Sequence, residues 1–574
     1  MEGRSYRTLV VCFTAALLGG CESMPAVAPA DLVLRGGKIV TMDSTVAEAQ
    51  AVAVRGYEVV AVGSDAEIDA YIGPETEVVE LSGRTAIPGF IEGHGHFMGL
   101  GNSKLNLDLT QAMNWDDIVA MVGAAATDAP RDAWITGRGW HQEKWDRVPA
   151  RVVDGVPVHD ELSRVSPNNP VLLTHASGHA AFANARALEL AGIGANTANP
   201  AGGEIVKDET GRPTGLLRET AQRLVSAVES RADSARPPAE VEEEMRRVVQ
   251  LAGEEALANG VTSFQDAGSS FATIDFFREL ESEGALPVRL YVMVRRESNE
   301  TMEARLPEYF MPIEGNDFLT VRSIKRQIDG ALGSHGAWLL APYEDMATSS
   351  GLTLEDPEDI ERTAEIAIEH GFQVNTHAIG DRANREVLDI YERVFQANPD
   401  RTDLRWRIEH AQHTDPADIP RFGQLGVIAA MQGVHATSDG PWVFLRLGAE
   451  RARTGAYMWR ALLDGGAIIG NGTDVPVESI DPIASFHASV TRRMSDGQQF
   501  FPEQNMTREE ALRSYTLANA YAAFEEQLKG SIAAGKLADI VVLSKDILTI
   551  PDEEIRTTQV DMTILGGKVV YQRQ

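Results

Sequence analysis

Apolar and polar residues alternate with a two-residue period in three runs near the start of the chain: "DLVLRGGKIVTMD", "AVAVRGYEVVAVG" and "EVVELSGRTAIPG". Glycine punctuates each run, as in the hairpins of a small all-β unit. The same idiom returns in "ADIVVLSKDIL" and "MTILGGKVVYQ", within residues 538–572. Residues 31–85 and 531–574 are therefore expected to build one composite β-sandwich from both chain ends, with a larger domain, 86–530, between them.

Inside that larger domain the pattern changes. Apolar β-type runs recur as "TAIPGFIEGH", "GVTSFQDAG", "PVRLYVMV", "VRSIKRQIDG", "FQVNTHAIG", "RWRIEHAQ", "GVIAAMQG" and "GAIIGNGTD". Between them lie amphipathic stretches such as "DPEDIERTAEIAIEHG" and "DRANREVLDIYERVFQAN", the first ending at a glycine that suits a helix C-terminus. Eight strands alternating with helices predict an α/β fold of the (β/α)8 TIM-barrel type. Residues 101–235 interrupt the alternation after the first strand. This stretch, rich in Trp, His and Gly, is expected to cap the barrel mouth.

Composition narrows the class. Of 574 residues 43% are hydrophobic and 24% charged, as in ordinary globular proteins, and the net charge is −32. Such acidity argues against a nucleic-acid partner, whose phosphates call for Lys and Arg. At the N-terminus, Arg4 and Arg7 precede an apolar run from Leu9 to Leu18, the layout of a secretory signal peptide and too short for a comfortable membrane span. Leu18-Gly19-Gly20-Cys21 resembles a bacterial lipobox, which makes residues 1–21 a signal peptide and Cys21 the lipidation site; an ordinary cleaved signal is the alternative. Residues 22–30, "ESMPAVAPA", read as a short tether. With Cys12 and Cys21 the only cysteines, the mature body has no possible disulfide. The expected location is outside the cytoplasm, as a membrane-associated lipoprotein.

Chemistry enters with "AIPGFIEGHGHF". Side chains at i and i+2 of a strand share a face, so His94 and His96 leave the strand end side by side. Each imidazole nitrogen needs a partner, and a metal ion supplies one; two exposed histidines on a turn are the other reading. Polar outliers end other strands too: Lys325 in the fourth, His377 after the fifth, His410 after the sixth and Asp474 after the eighth. Barrels of this type carry their active sites at that face. Four imidazoles and a carboxylate suit zinc or a similar divalent ion. Lys325 stands where an apolar residue would be expected. Burial would lower its pKa and make it nucleophilic, able to capture carbon dioxide as a carbamate; pairing with Asp329 is the alternative.

The motifs "IPGFIEGHGHF", "IKRQIDGALGS", "NTHAIGDRA", "RIEHAQ", "GNGTDVPVES" and "MTREEALRSYTLANAYAA…KGSIAAGKLADIVVL" resemble those of the amidohydrolase superfamily, in particular its amidohydrolase-3 branch. The match runs from about residue 31 to the C-terminus. The resemblance implies a hydrolase with two metal ions bridged by a carboxylated Lys325, the other ligands being His94, His96, His377, His410 and Asp474. It also implies a small-molecule substrate and allows a homodimer. Glu92 stands where many relatives carry Asp before the histidine pair. The expected reaction is cleavage of a non-peptide amide-type C–N bond, in an N-acyl or N-formyl amine, by metal-activated hydroxide. Asp474 would move the proton to the leaving amine. His435 is a candidate for oxyanion stabilisation or substrate binding. His179 and Trp140 in the insertion are candidate substrate contacts, with packing as the other reading for all three. Hydrolysis of an ester, lactone or carbamate is the competing enzymatic reading; a noncatalytic binding protein is the remaining one.

Overall fold

A computed structural model describes residues 27–233 and 236–574. The signal peptide, Cys12 and Cys21 lie outside the described residues. Eight parallel strands form one sheet in chain order: β1 (Phe90–Gly95), β2 (Val261–Ser269), β3 (Arg289–Val294), β4 (Leu319–Gln327), β5 (Gln373–Ala378), β6 (Arg407–His410), β7 (Ile428–Gln432) and β8 (Ile469–Gly472). Each overlaps one of the eight runs read from the sequence, the first in the second half of its run. Outward residues such as Leu290, Val292, Ile324, Val374 and Ile408 are apolar and buried under the surrounding helices. The inward ones are polar: Ser323 and Lys325 on β4, Asn375 and His377 on β5, Arg407 and Glu409 on β6, all buried. The barrel interior is thus polar rather than an oily plug, with Arg407 bonded to Glu409 and Gln265 at its centre.

The helices follow from their caps. Asp356 accepts the Glu358 amide before helix Pro357–His370, Pro357 opens it, and Gly371 ends it at φ 76°. Ile360, Ala364, Ala367 and Ile368 fall on one face and are buried.

No ladder joins β8 to β1, so the barrel closes differently at that seam. Asp474 N donates to the His94 carbonyl (2.8 Å) and His96 N to the Val475 carbonyl (2.7 Å). Glu92 accepts the Thr473 amide (2.5 Å) and hydroxyl (3.1 Å). From below, the Asn519 side-chain amide donates to the carbonyls of Ile91 (2.8 Å) and Asn471 (2.7 Å). This approach requires glycine: a Cβ on Gly93 would lie 2.4 Å from the Asn471 oxygen, and one on Gly472 2.5 Å from a Glu92 oxygen.

The run "TAIPGFIEGH" is two strands, not one. Thr85–Pro88 pairs with Lys38–Val40 and with Ile540–Leu543 in an outer sheet, and the barrel strand starts at Phe90. The break falls at Gly89, where a Cβ would meet the Thr262 hydroxyl at 2.1 Å. Residues 86–88 therefore sit outside the barrel. That outer sheet of six strands also contains Val560–Leu565 and Lys568–Gln572. A four-stranded sheet of N-terminal strands packs on it through Leu34, Val52, Ile39, Ile540 and Ile564.

The stretch between β1 and β2 carries its own six-stranded sheet and an apolar core of Trp115, Ile118, Trp140, Leu173 and Phe182. Among the described residues no helix is long and apolar enough to cross a membrane.

Candidate active site

The ends of β1, β4, β5, β6 and β8 bring His94, His96, Lys325, His377, His410 and Asp474 together on one wall of a cavity of about 630 Å³. Backbone strain aims two of them. Glu409 and His410 are neighbours, and a regular strand would point them to opposite faces. His410 adopts φ 74°, which turns its ring in beside Glu409; Asp474 adopts φ 57° at the seam. Such conformations cost about 1–3 kcal/mol and persist where surrounding structure holds them.

Asp474 is the pivot. Its Oδ1 lies 3.3 Å from His96 Nε2 and 3.6 Å from His94 Nε2. Metal-ligating atoms of His94, His96 and Asp474 all lie within 4.8 Å of one another, as do those of His410, His435 and Asp474. Lys325 Nζ is 3.4 Å from His94 Nε2. His377 falls in neither triad; its ring packs at 4.5 Å from His410 and 5.3 Å from His179. His435, expected as an oxyanion or substrate contact, is itself a member of the second triad.

The donor set fits a divalent metal. His377 Nε2, His435 Nε2 and Asp474 Oδ1 are buried without a hydrogen-bond partner among the described residues. Glu409 bonds His94 Nδ1, and Gln432 Oε1 accepts from His410 Nδ1 at 2.7 Å, which leaves each Nε2 lone pair toward the centre. Burial lowers His94 to about 4 and holds His377 and His410 well below the ordinary imidazole value. Neutral, convergent imidazoles with unshared electron pairs are the donors a divalent metal takes.

Lys325 is buried and makes no ion pair within 4.0 Å among the described residues, and burial lowers it to about 7. Asp329 is not its partner: that carboxylate accepts the amides of Trp338 (2.8 Å), Ile379 (2.9 Å) and Gly380 (2.8 Å). A half-deprotonated amine at neutral pH is the state that reacts with carbon dioxide.

The insertion supplies the opposite wall. His179 Nδ1 bonds Glu219 at 2.8 Å; burial lowers its pKa, but Glu219 outweighs burial and raises it overall. Trp140 is a correction: it does not line the cavity. Its indole N–H donates to the Leu173 carbonyl at 2.8 Å, and its ring packs in the insertion core against Phe182 and His175. A second lobe of about 60 Å³ opens beside His435, with Leu332, Ile379 and Trp442 on its apolar side.

Glu409, Arg407, Gln432 and Glu219 escaped the sequence reading. The first two had a signal: in "RIEH" the i, i+2 period puts Arg407 and Glu409 on the barrel's inner face. Gln432 and Glu219 had none. Glu92 makes no hydrogen bond to a candidate ligand side chain among the described residues; its bonds to Thr473 close the seam.

Residues 77–571 match the amidohydrolase family. The chain is 34% identical to Protein LONG AFTER FAR-RED 3 of Arabidopsis thaliana, over 95% of this chain and 92% of that one. It is 29% identical to N-substituted formamide deformylase of Arthrobacter pascens, over 95% and 98%. A solved metal-dependent hydrolase from Pyrococcus horikoshii superposes with a TM-score of 0.71 at 25% identity, covering 91% of this chain and 99% of that one.

Proposed function

The chain belongs to the amidohydrolase family and is a hydrolase acting on carbon–nitrogen bonds, and from that premise we propose that it cleaves the amide of an N-acyl or N-formyl amine. The observation that carries this is Asp474 standing between two histidine pairs, with His179 across the cavity. Similarity to the formamide deformylase over nearly its whole length supports an amide substrate.

Two divalent ions, zinc or similar, would be held by His94, His96, His377, His410 and Asp474 and bridged by carboxylated Lys325. Bound there, the metal would supply Lewis-acid polarisation of the carbonyl and acidification of water. The chain does the rest. Asp474 takes the proton of the attacking water and returns it to the leaving nitrogen. His179, oriented by its bond to Glu219, faces the oxygen where negative charge develops, and His435 faces it from the β7 side. Glu409 and Gln432 hold the tautomers of His94 and His410.

The same reading takes Cys21 as a lipid anchor on an exported, membrane-associated protein, and the chain as a homodimer acting on a small molecule. The segments 31–85 and 531–574 form one satellite domain, supported by the sheet their strands share, and 101–235 a cap over the mouth.

The test is turnover of matched N-formyl amines, N-acyl amines, esters and lactones by metal-loaded protein. Amide cleavage above all other classes is expected. Cleavage of esters or lactones with none of any amide overturns the proposal.

A further inference from the structure

The wide lobe of the cavity carries charge of the wrong sign for this protein. A chain with 84 acidic and 52 basic residues would be expected to face its cavities with carboxylates. Instead four arginines, Arg138, Arg223, Arg295 and Arg296, line the lobe. Arg223 and Arg296 are exposed at the mouth, while Arg138 and Arg295 are half-buried further in. Neither of the inner two has a carboxylate within 4.0 Å among the described residues. Arg138 donates from Nε to the Pro476 carbonyl (3.3 Å) and from Nη2 to the Ala176 carbonyl (2.9 Å). Arg295 donates from Nη2 to Gln327 Oε1 (2.6 Å). Nη1 of Arg138, and Nε and Nη1 of Arg295, are left over.

The acids that share the lobe are committed elsewhere. Glu219 holds His179, and Asp266 accepts the Phe97 amide (2.9 Å) and the Ser269 hydroxyl (2.7 Å). Asp474 sits among the histidines, and Glu229 has a partner of its own. Burial lowers both inner guanidinium groups to about 10; Asp474 acts on Arg138, and Glu355 and Asp266 on Arg295, without offsetting it. The backbone makes room for one of them: Gly268 adopts φ 129°, and a Cβ there would meet Arg295 Cβ and Cδ at 2.5 Å. Half-buried cations with no carboxylate in contact are costly, and a bidentate oxyanion is what guanidinium geometry fits best.

We propose that Arg295 and Arg138 bind a carboxylate on the substrate, so that the amide cleaved belongs to an N-acyl amino acid or a related N-acyl acid. This rests on the hydrolase reading above and adds the identity of the half-molecule that fills the wide lobe. The narrow lobe beside Trp442 and Ile379, ten times smaller, then takes the acyl side, which limits it to a short one.

The test compares binding of N-acetylalanine and its neutral primary amide to metal-loaded protein by calorimetry, in the native chain and in Arg295→Gln, Arg138→Gln, Arg295→Lys and the double glutamine variant. The carboxylate is expected to bind about a hundredfold more tightly than the amide, about tenfold from each arginine. Each single glutamine variant should cut that preference by about tenfold, since a hydrogen bond to a charged group carries that much. Arg295→Lys should keep part of it, and the double variant should lose it. Equal binding of acid and amide, or a preference that survives both substitutions because the carboxylate sits on the metal, overturns the proposal. Turnover in the same set separates the two readings. Cleavage without charge preference leaves the hydrolase standing and removes the anion site. Charge-dependent binding with no cleavage of any acyl amine does the reverse.

Discussion

Glu409 bonds the Nδ1 of His94 with one carboxylate oxygen, and Arg407 grips the same carboxylate from the far side at 2.7 and 3.0 Å. Arg407 also donates to the Gly93 carbonyl at 2.7 Å, so the pair fixes the strand that bears His94 as well as its ring. Burial works to raise the Glu409 pKa, but Arg407 and His94 outweigh it and hold the carboxylate well below its usual range. Glu409→Gln should keep the fold and weaken metal binding about 10–100-fold, measured by chelator competition. Glu409→Ala should also cost about 3–5 kcal/mol of stability in urea unfolding, because Arg407 is left buried and unpaired. Native-like metal affinity in both variants would remove Glu409 from the site.

Asp474→Asn preserves shape and one oxygen ligand while removing the base. Metal content should fall modestly, and kcat should drop by ~10²–10⁴-fold, the range for a positioned acid–base group. Near-normal turnover at neutral pH would route the proton through another group, with His179 the next to substitute.

Lys325→Ala should lose most metal and activity. A short carboxylic acid added to the variant should restore part of both by filling the vacated bridge. Full metal occupancy in the variant, read by elemental analysis, would take Lys325 off the ligand set.

Glu92 gives a stability prediction with a definite sign. Burial raises its carboxyl to about 8 from the ordinary 4.5. The folded metal-free protein then holds a proton that the unfolded chain releases. Stability should fall as pH rises from 4.5 to 8, by at most about 1.4 kcal/mol per unit from this group. Glu92→Gln should flatten that slope; an unchanged slope in thermal unfolding across this window would assign it to other groups.

Cys21→Ala should abolish lipid attachment and move the protein from the membrane to the soluble fraction. A mature N-terminus mapped to a residue other than 21 would contradict lipidation there.

Much of the barrel was legible because its signal is local: eight apolar runs, each followed by a cap or a glycine. His94 and His96 were legible for the same reason, since an i, i+2 pair on a strand end needs no tertiary knowledge. Trp140 was misread because aromatic richness in the insertion does not say which face a side chain takes; a regular strand would put Arg138 and Trp140 on one face, but a register shift at Gly139, with φ 112°, separates the arginine on the cavity from the indole in the core. Glu219 was invisible for a different reason. Its role depends on a partner forty positions away, and on an irregular backbone with φ 49° that no local pattern announces.

The seam between β8 and β1 makes the catalytic centre a checkpoint on the chain's own completion. Glu92 and Thr473, whose bond helps to close it, are 381 positions apart. A chain that has assembled seven strands already owns His94, His96, His377, His410 and His435 on their ends, but it has neither Asp474 nor the fixed orientation of His94 and His96 that closure imposes. Pairings of such separation form late, because the intervening loop must be closed first. Metal capture would therefore register only finished barrels, and a truncated or misjoined chain would be marked by its failure to hold the ion.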